Sequence, residues 1–136
     1  MAVAALKEFN ISSLDIRAAF LQARKLDRPI YMKPPKDLKK NGVIWKLLKQ
    51  LYGLDDASHK FWLRIKEIFL RIGMSITEDD EAFYFLHNGK DLVGMVLSHV
   101  DDFTVAGTDK FIGDIISLIE KELTVSKIEH GSFRFI

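Results

Sequence analysis

Asp101 and Asp102 stand side by side between two apolar runs, Leu92-Val93-Gly94-Met95-Val96-Leu97 and Phe103-Thr104-Val105-Ala106-Gly107. Each run has strand length and is rich in Val and other apolar residues, so each reads as a buried strand. Ser98 to Asp102 then forms a hairpin tip. An ionised carboxylate is costly near a core unless something pairs it. A divalent cation does so: magnesium takes oxygen ligands, usually one or two carboxylates plus substrate phosphates. Asp is also a common turn residue, so an ordinary turn accounts for the dipeptide too. Asp15 is the third carboxylate of interest, at the end of the alternating run Phe9–Ile16. With that strand beside Leu92–Leu97, Asp15 faces the Asp101-Asp102 tip. Three carboxylates at one sheet edge would hold two magnesium ions, which stabilise both oxygens of an in-line displacement at phosphorus. The other reading of Asp15 is the N-cap of the helix that follows it.

Other chemistries find less support. His59, His87, His99 and His130 are scattered, with no i,i+4 pair for zinc. No Walker loop or dinucleotide-binding glycine pattern occurs. Ser98-His99 beside Asp101 is no triad, because neighbours in a strand point to opposite faces. Cysteine is absent, which excludes disulfides and thiolate metal sites and fits an intracellular protein. No run of apolar residues is long enough for a membrane-spanning helix.

The elements that must position these carboxylates are legible from periodicity. Ala2–Glu8 ends a helix, Phe9–Ile16 is a strand, and Ala18–Ala23 begins a short helix broken by Pro29. Ile30–Lys33 and Val43–Leu48 are strand candidates around a basic loop, Asp37–Gly42. Phe61, Trp62, Ile65, Ile68, Phe69 and Ile72 share one helical face. Asp55 or Asp56 is its expected cap and Gly73 its stop. Ala82–Leu86 is a strand, His87–Lys90 a hairpin turn carrying Asn-Gly. A second helix, capped by Thr108 or Asp109, places Phe111, Ile112, Ile115, Ile116, Ile119 and Leu123 on one face. Thr124–Ile128 and Phe133–Ile136 read as strands around a turn at 129–132.

The chain has 136 residues, enough for one domain or a piece of one. The net charge of +1 conceals a division. Asp15 to Lys66 holds 13 Lys/Arg against 5 Asp/Glu, whereas Glu67 to Ile136 holds 6 against 13. A basic half suits a polyanion and an acidic half suits metal. Segregation of charges onto solvated faces is the alternative. Tyr31 and Tyr52, beside Pro or Gly rather than on core stripes, are candidates for contact with bases or sugars.

Taken together and in order, these segments resemble the Ty1/copia-type reverse transcriptases. Leu14-Asp15-Ile16-Arg17-Ala18-Ala19-Phe20-Leu21 is similar to the family's first catalytic motif, Asp-Val-Lys-Thr-Ala-Phe-Leu. Ile30-Tyr31-Met32-Lys33-Pro34-Pro35 resembles its Ile-Tyr-Met-Lys-Gln-Pro stretch. Leu51-Tyr52-Gly53-Leu54 with Trp62 resembles its Leu-Tyr-Gly-Leu-Lys-Gln-Ala-Pro-Arg…Trp block, and Glu81–Phe85 sits at its Asp-Pro-Cys-Val-Tyr-like segment. Val100-Asp101-Asp102 matches its Tyr-Val-Asp-Asp motif. His99 departs from the family's Tyr. Asp55-Asp56-Ala57-Ser58-His59 departs from Lys-Gln-Ala-Pro-Arg, removing two cations and a proline.

The resemblance implies an α+β fold, a reverse-transcriptase palm over 1–136: an antiparallel sheet with helices 56–72 and 109–122 on one face. Most of the fingers, the thumb and ribonuclease H would lie outside it. It implies an RNA-directed DNA polymerase with Asp15, Asp101 and Asp102 as catalytic metal carboxylates for two Mg2+ ions, or Mn2+. Phe20 would screen the sugar 2′-position of the incoming nucleotide. Gly53 would let backbone approach nucleotide or template. Template–primer duplex, deoxynucleoside triphosphates and the remaining polyprotein, with its integrase and ribonuclease H, are the implied partners; a membrane is not. An inactive remnant or domesticated nucleic-acid-binding module is the alternative. The placement to look for is Asp15 and Asp101 at the same end of the sheet.

Overall fold

The computed structural model describes residues 3–4, 7–38 and 41–131. Among them, eight strands and two α-helices follow in order: β1 (Asn10–Ile16), β2 (Tyr31–Met32), β3 (Trp45–Lys46), α1 (Ala57–Arg71), β4 (Ser75–Ile76), β5 (Phe83–Asn88), β6 (Asp91–His99), β7 (Asp102–Gly107), α2 (Asp109–Glu122) and β8 (Val125–Gly131). Six strands form one sheet in the order β4-β5-β6-β7-β1-β8, and all its pairings are antiparallel. β2 and β3 make a separate two-stranded ribbon. The fold is therefore α+β, as the sequence implies.

Alternation decides the two faces of the sheet. Leu14, Ile16, Tyr84, Val96, Phe103 and Val105 share one core with Phe61, Ile65 and Phe69 of α1 and Ile112, Ile115 and Ile119 of α2. Both helices therefore cover the same face. Gly94 and Gly107 are paired across β6 and β7 beneath Phe111, and a Cβ on either would overlap that ring. Arg64 of α1 donates from Nη2 to the Glu122 carbonyl at 2.9 Å, at the C-terminal end of α2, and Arg71 pairs with the Glu122 carboxylate. The opposite face carries a smaller cluster, Met95 and Ala106 with Ala4, and Ile11, Phe83 and Phe85 packed alongside.

Local chemistry explains most element ends. Thr108 caps α2, its Oγ1 accepting the Phe111 N–H at 3.2 Å. The β5–β6 hairpin closes on the pair Asn88↔Asp91, so Gly89 and Lys90 are its two central residues. Gly89, at φ 62, supplies the positive φ at the first of these. Several expectations need correction. Asp56 precedes α1 but makes no capping hydrogen bond, and its Oδ1 is buried without a partner. The Ala18–Ala23 helix is a 3-10 helix at Ala19–Gln22. The Val43–Leu48 strand shrinks to two residues, because nothing beyond β2 pairs with it. The turn expected at 129–132 is absent over Glu129–Gly131, which continue β8 and pair with Ile11–Ser13 of β1. The strand expected at Phe133–Ile136 lies outside the described residues, as do parts of the Ala2–Glu8 helix and of the basic loop.

Tyr84 gives the core a measurable signature. Its side chain is fully buried against Phe69, ring centroids 4.8 Å apart, and its hydroxyl has no hydrogen-bond partner. The nearby donors are engaged elsewhere: Trp62 Nε1 bonds the Glu81 carbonyl and Ser98 Oγ the Ala82 carbonyl. Burial pushes the phenol up to about 12 from its ordinary 10.0. The unfolded chain therefore releases this proton first. Stability is full below pH 10 and falls through the interval to 12, by about 3 kcal/mol at most. Tyr84→Phe removes an unsatisfied group, so at pH 7 it should be neutral or stabilising by up to about 1 kcal/mol. Denaturant melts of both proteins between pH 9 and 12 should show the alkaline loss in the parent and its attenuation in Tyr84→Phe.

Candidate functional site

Asp15 and Asp102 share the face that the helices leave uncovered. β1 is not beside the Leu92–Leu97 strand, as the sequence suggests, because β7 lies between them; β1 and β7 are adjacent and antiparallel, and their register sets Asp15 directly opposite Asp102. Directly opposed residues project from the same face with Cβ atoms roughly 5 Å apart. Their buried neighbours Leu14, Ile16 and Phe103 point the other way, under the helices. Pairing extends the rung across four strands. His99 of β6 opposes Asp102, and Lys127 of β8 opposes Asp15. The rung thus reads His99, Asp102, Asp15, Lys127. The next reads Leu97, Thr104, Ser13, Glu129. Ser13, Asp15, Asp102, Lys127 and Glu129 line a cavity of about 270 Å³ there.

Asp101 occupies the turn itself. Its carbonyl accepts the Ile16 N–H at 2.7 Å, so the backbone of the tip is bonded to the end of β1. Asp15 and Asp101 are therefore at the same end of the sheet. Val100, just before Asp101, has φ 53. That is an outlier for a β-branched residue and costs roughly 1–3 kcal/mol.

The donor set here is oxygen from carboxylates, which suits a hard cation. Among the described residues, Asp15, Asp101 and Asp102 make no ion pair with a basic side chain. No group of three or more His, Cys, Asp or Glu residues among the described ones is gathered as a ready metal cage. Magnesium bound through one or two carboxylates and substrate phosphates does not need such a cage. The Asp15–Asp102 pair fits that mode, with Asp101 one residue away. Lys127 forms an ion pair with Glu129 at 2.5 Å. The Glu129 carboxylate holds the Lys127 ammonium above its ordinary range, and Asp15 adds to the effect.

Phe20 and Gly53 meet the same end of the molecule through local turns. After β1 the chain passes Ala18, at φ 48, into the 3-10 helix that buries Ala19 and Phe20. The Phe20 ring packs on Tyr52, centroids 4.2 Å apart and planes at 59°. Gly53 follows at φ 91, with nothing within 4 Å of where a Cβ would stand. Its local need for glycine is the backbone conformation rather than crowding. Tyr31 and Tyr52 are exposed, at 61% and 56%, and Trp45 at 38%. Around the β2–β3 ribbon, Lys25, Arg28, Lys33, Lys46 and Lys49 make no ion pair with the described residues.

Sequence reading missed β8 as part of the site. Ser126 and Lys127 touch or oppose Asp15 across 111 and 112 positions of chain. The alternation Ser126-Lys127-Ile128-Glu129, one apolar position among polar ones, was the available signal.

Comparison with known proteins gives a consistent result. Residues 1–134 match the family described as "Reverse transcriptase (RNA-dependent DNA polymerase)". Among curated relatives, the Arabidopsis thaliana "Retrovirus-related Pol polyprotein from transposon RE1" is 32% identical over 111 residues, 80% of this chain and 8% of that protein. The Nicotiana tabacum "Retrovirus-related Pol polyprotein from transposon TNT 1-94" is 28% identical over 113 residues, 81% of this chain and 8% of the relative. The chain thus spans 8% of the length of the curated relatives it matches. No solved structure matches.

The strain at Val100 is testable. Asn enters the left-handed region more readily than a β-branched residue. Val100 is 37% exposed, so little packing is lost. Val100→Asn should raise stability by about 1 kcal/mol in urea unfolding. A lower midpoint would show that the Val100 side chain contributes more by contact than its backbone costs.

Proposed function

The chain belongs to the reverse transcriptase (RNA-dependent DNA polymerase) family, of the Ty1/copia type, and from that premise we propose that it is the palm region of an RNA-directed DNA polymerase. The observation that carries the reading is the direct opposition of Asp15 and Asp102 on adjacent strands, with Asp101 bonded in beside them. Like charges in that arrangement are destabilising by themselves and favourable around a cation.

In this reading Asp15, Asp101 and Asp102 are the carboxylates for a pair of divalent ions, Mg2+ or Mn2+. When bound, the ions supply stabilisation of the attacking primer oxygen and the leaving pyrophosphate oxygen. The chain's own residues orient and exclude. The bond from Ile16 N–H to the Asp101 carbonyl fixes the tip against β1. The Phe20 ring, steadied by Tyr52, fills the space beside the nucleotide sugar. The unpaired cations and exposed aromatic rings of the β2–β3 ribbon suit a nucleic-acid backbone and bases. Template–primer and deoxynucleoside triphosphates are the proposed substrates, and the rest of a Pol polyprotein the proposed covalent context. The alternative, a nucleic-acid-binding module without catalysis, draws on the Asp55–His59 block, where Asp56 brings a buried unpartnered carboxylate oxygen.

Two measurements test this. Residues 1–136 by themselves should bind primer–template weakly and with strong salt dependence, and extend it little or not at all. Grafted in place of the matching segment of a relative's polyprotein, they should support magnesium-dependent primer extension. Asp101→Asn in that graft should reduce extension by about a thousandfold or more while leaving duplex binding nearly unchanged. Extension equal to the parent would overturn the carboxylate assignment and favour the binding module.

Phe20→Val in the same graft should relax discrimination against ribonucleotides by about tenfold or more, since the smaller side chain leaves room for a 2′-hydroxyl. Competition between deoxy- and ribonucleoside triphosphates measures it. Unchanged discrimination would reduce Phe20 to a core residue packed on Tyr52.

A further inference from the structure

We propose that Ser126 is a positioning residue for Asp15, supplied to the site by a strand that carries none of the motif carboxylates. This rests on the reading of Asp15 as a metal carboxylate. Ser126 is separated from Asp15 by 111 residues, yet its Oγ is 3.0 Å from the Asp15 carbonyl oxygen and also bonds the Asp15 carboxylate through Oδ2. The contact arises at an irregularity. β1 and β8 are in regular register from Ile11↔Gly131 to Asp15↔Lys127, and the register then shifts between Asp15 and Ile16 so that Ile16 opposes Val125. Ser126 is the residue left without an opposite number. A residue released from the ladder in this way can be re-aimed, and here the hydroxyl is aimed at Asp15.

The irregularity is held on its far side by Gln22. Its Nε2 donates to the Thr124 carbonyl at 3.1 Å, and its Oε1 accepts the Thr124 N–H at 2.6 Å. Arg17 N–H also donates to the Thr124 carbonyl, at 2.9 Å. The start of β8 is thus tied to the bend that follows β1, with Ser126 two residues further on. An ionised carboxylate only accepts hydrogen bonds, so Ser126 must be the donor. One Asp15 oxygen is thereby occupied and the χ angles restricted, leaving the other oxygen for a cation. Hydroxyl groups that orient metal carboxylates from outside the ligand set are worth about 10- to 100-fold in affinity.

The test uses the 136-residue chain and Mn2+ as the probe. Amide signals of Leu14–Ile16 and Asp101–Phe103 are followed by NMR while Mn2+ is titrated, and broadening gives both location and dissociation constant. Four proteins are compared: parent, Asp15→Asn, Ser126→Ala and Ser126→Thr. The parent should show broadening centred on these segments and on the strand residues beside them, and Asp15→Asn should lose it. Ser126→Ala should weaken Mn2+ by about tenfold. Ser126→Thr, which keeps the hydroxyl on a strand-favouring residue, should recover at least half of that loss on a logarithmic scale. Thermal midpoints of the two Ser126 variants should stay with the parent, because the side chain is on an exposed edge strand. If the parent shows no local broadening, or Asp15→Asn binds as the parent does, the metal-carboxylate reading fails and takes this proposal with it. If Asp15→Asn loses Mn2+ but Ser126→Ala does not, the site stands and the role of Ser126 is overturned. Equal losses in Ser126→Ala and Ser126→Thr would overturn it as well, since the hydroxyl would then not be what acts.

Discussion

Two acidic residues are register partners, directly opposite each other on adjacent strands, and core packing on the other face of the sheet holds them there. Asp15 and Asp102 are register partners on β1 and β7. The sheet does not separate them by a slip, because a shift of one residue would turn either Leu14 and Ile16 of β1 or Phe103 and Val105 of β7 out of the core. Burial of those side chains is worth roughly 2 kcal/mol apiece, far more than opposed carboxylates in a partly solvated site can repel. Core packing therefore enforces an electrostatic arrangement that no isolated hairpin would adopt. Such a conflict between local preference and global fold is of the kind found at functional sites.

The division of the sheet into two faces follows from the same packing. α1 and α2 cover one face and are tied to each other through Glu122 with Arg64 and Arg71. The charged rung from His99 to Lys127 is on the other, where only a small apolar cluster lies further along the strands. A template–primer duplex, in the proposed function, would approach that uncovered face. Phe20 and Tyr52 join the first motif to the Leu51–Leu54 block by ring contact, so two segments far apart in sequence meet at one end of the molecule.

Much of this was legible in the chain. The helical stripes from Phe61 and from Phe111 predicted α1 and α2 to within a residue or so, because burial of a helix face leaves a period that composition cannot mimic. The paired apolar runs around Asp101 and Asp102 predicted the β6–β7 hairpin for the same reason. Short elements were less legible. Val43–Leu48 has strand composition, yet only Trp45 and Lys46 pair, since a strand's extent is set by its partner. Asp56 has the right residue type for a cap and does not act as one.

What the sequence determined by itself was the set of chemical groups and the local periods: three acidic residues at strand ends or tips, two amphipathic helices, and ordered motifs sufficient to identify the family. What only the tertiary structure decided was adjacency. Asp15 opposes Asp102, while Asp101 contributes its carbonyl to β1. Ser126 and Lys127 join the site from a strand whose pairing spans more than a hundred residues. Local periodicity records which face a residue must bury, because that is a property of its own element. It does not record which strand lies alongside or where a register shifts. Those follow from packing the whole sheet against its helices, a sum over contacts that no short stretch of chain contains.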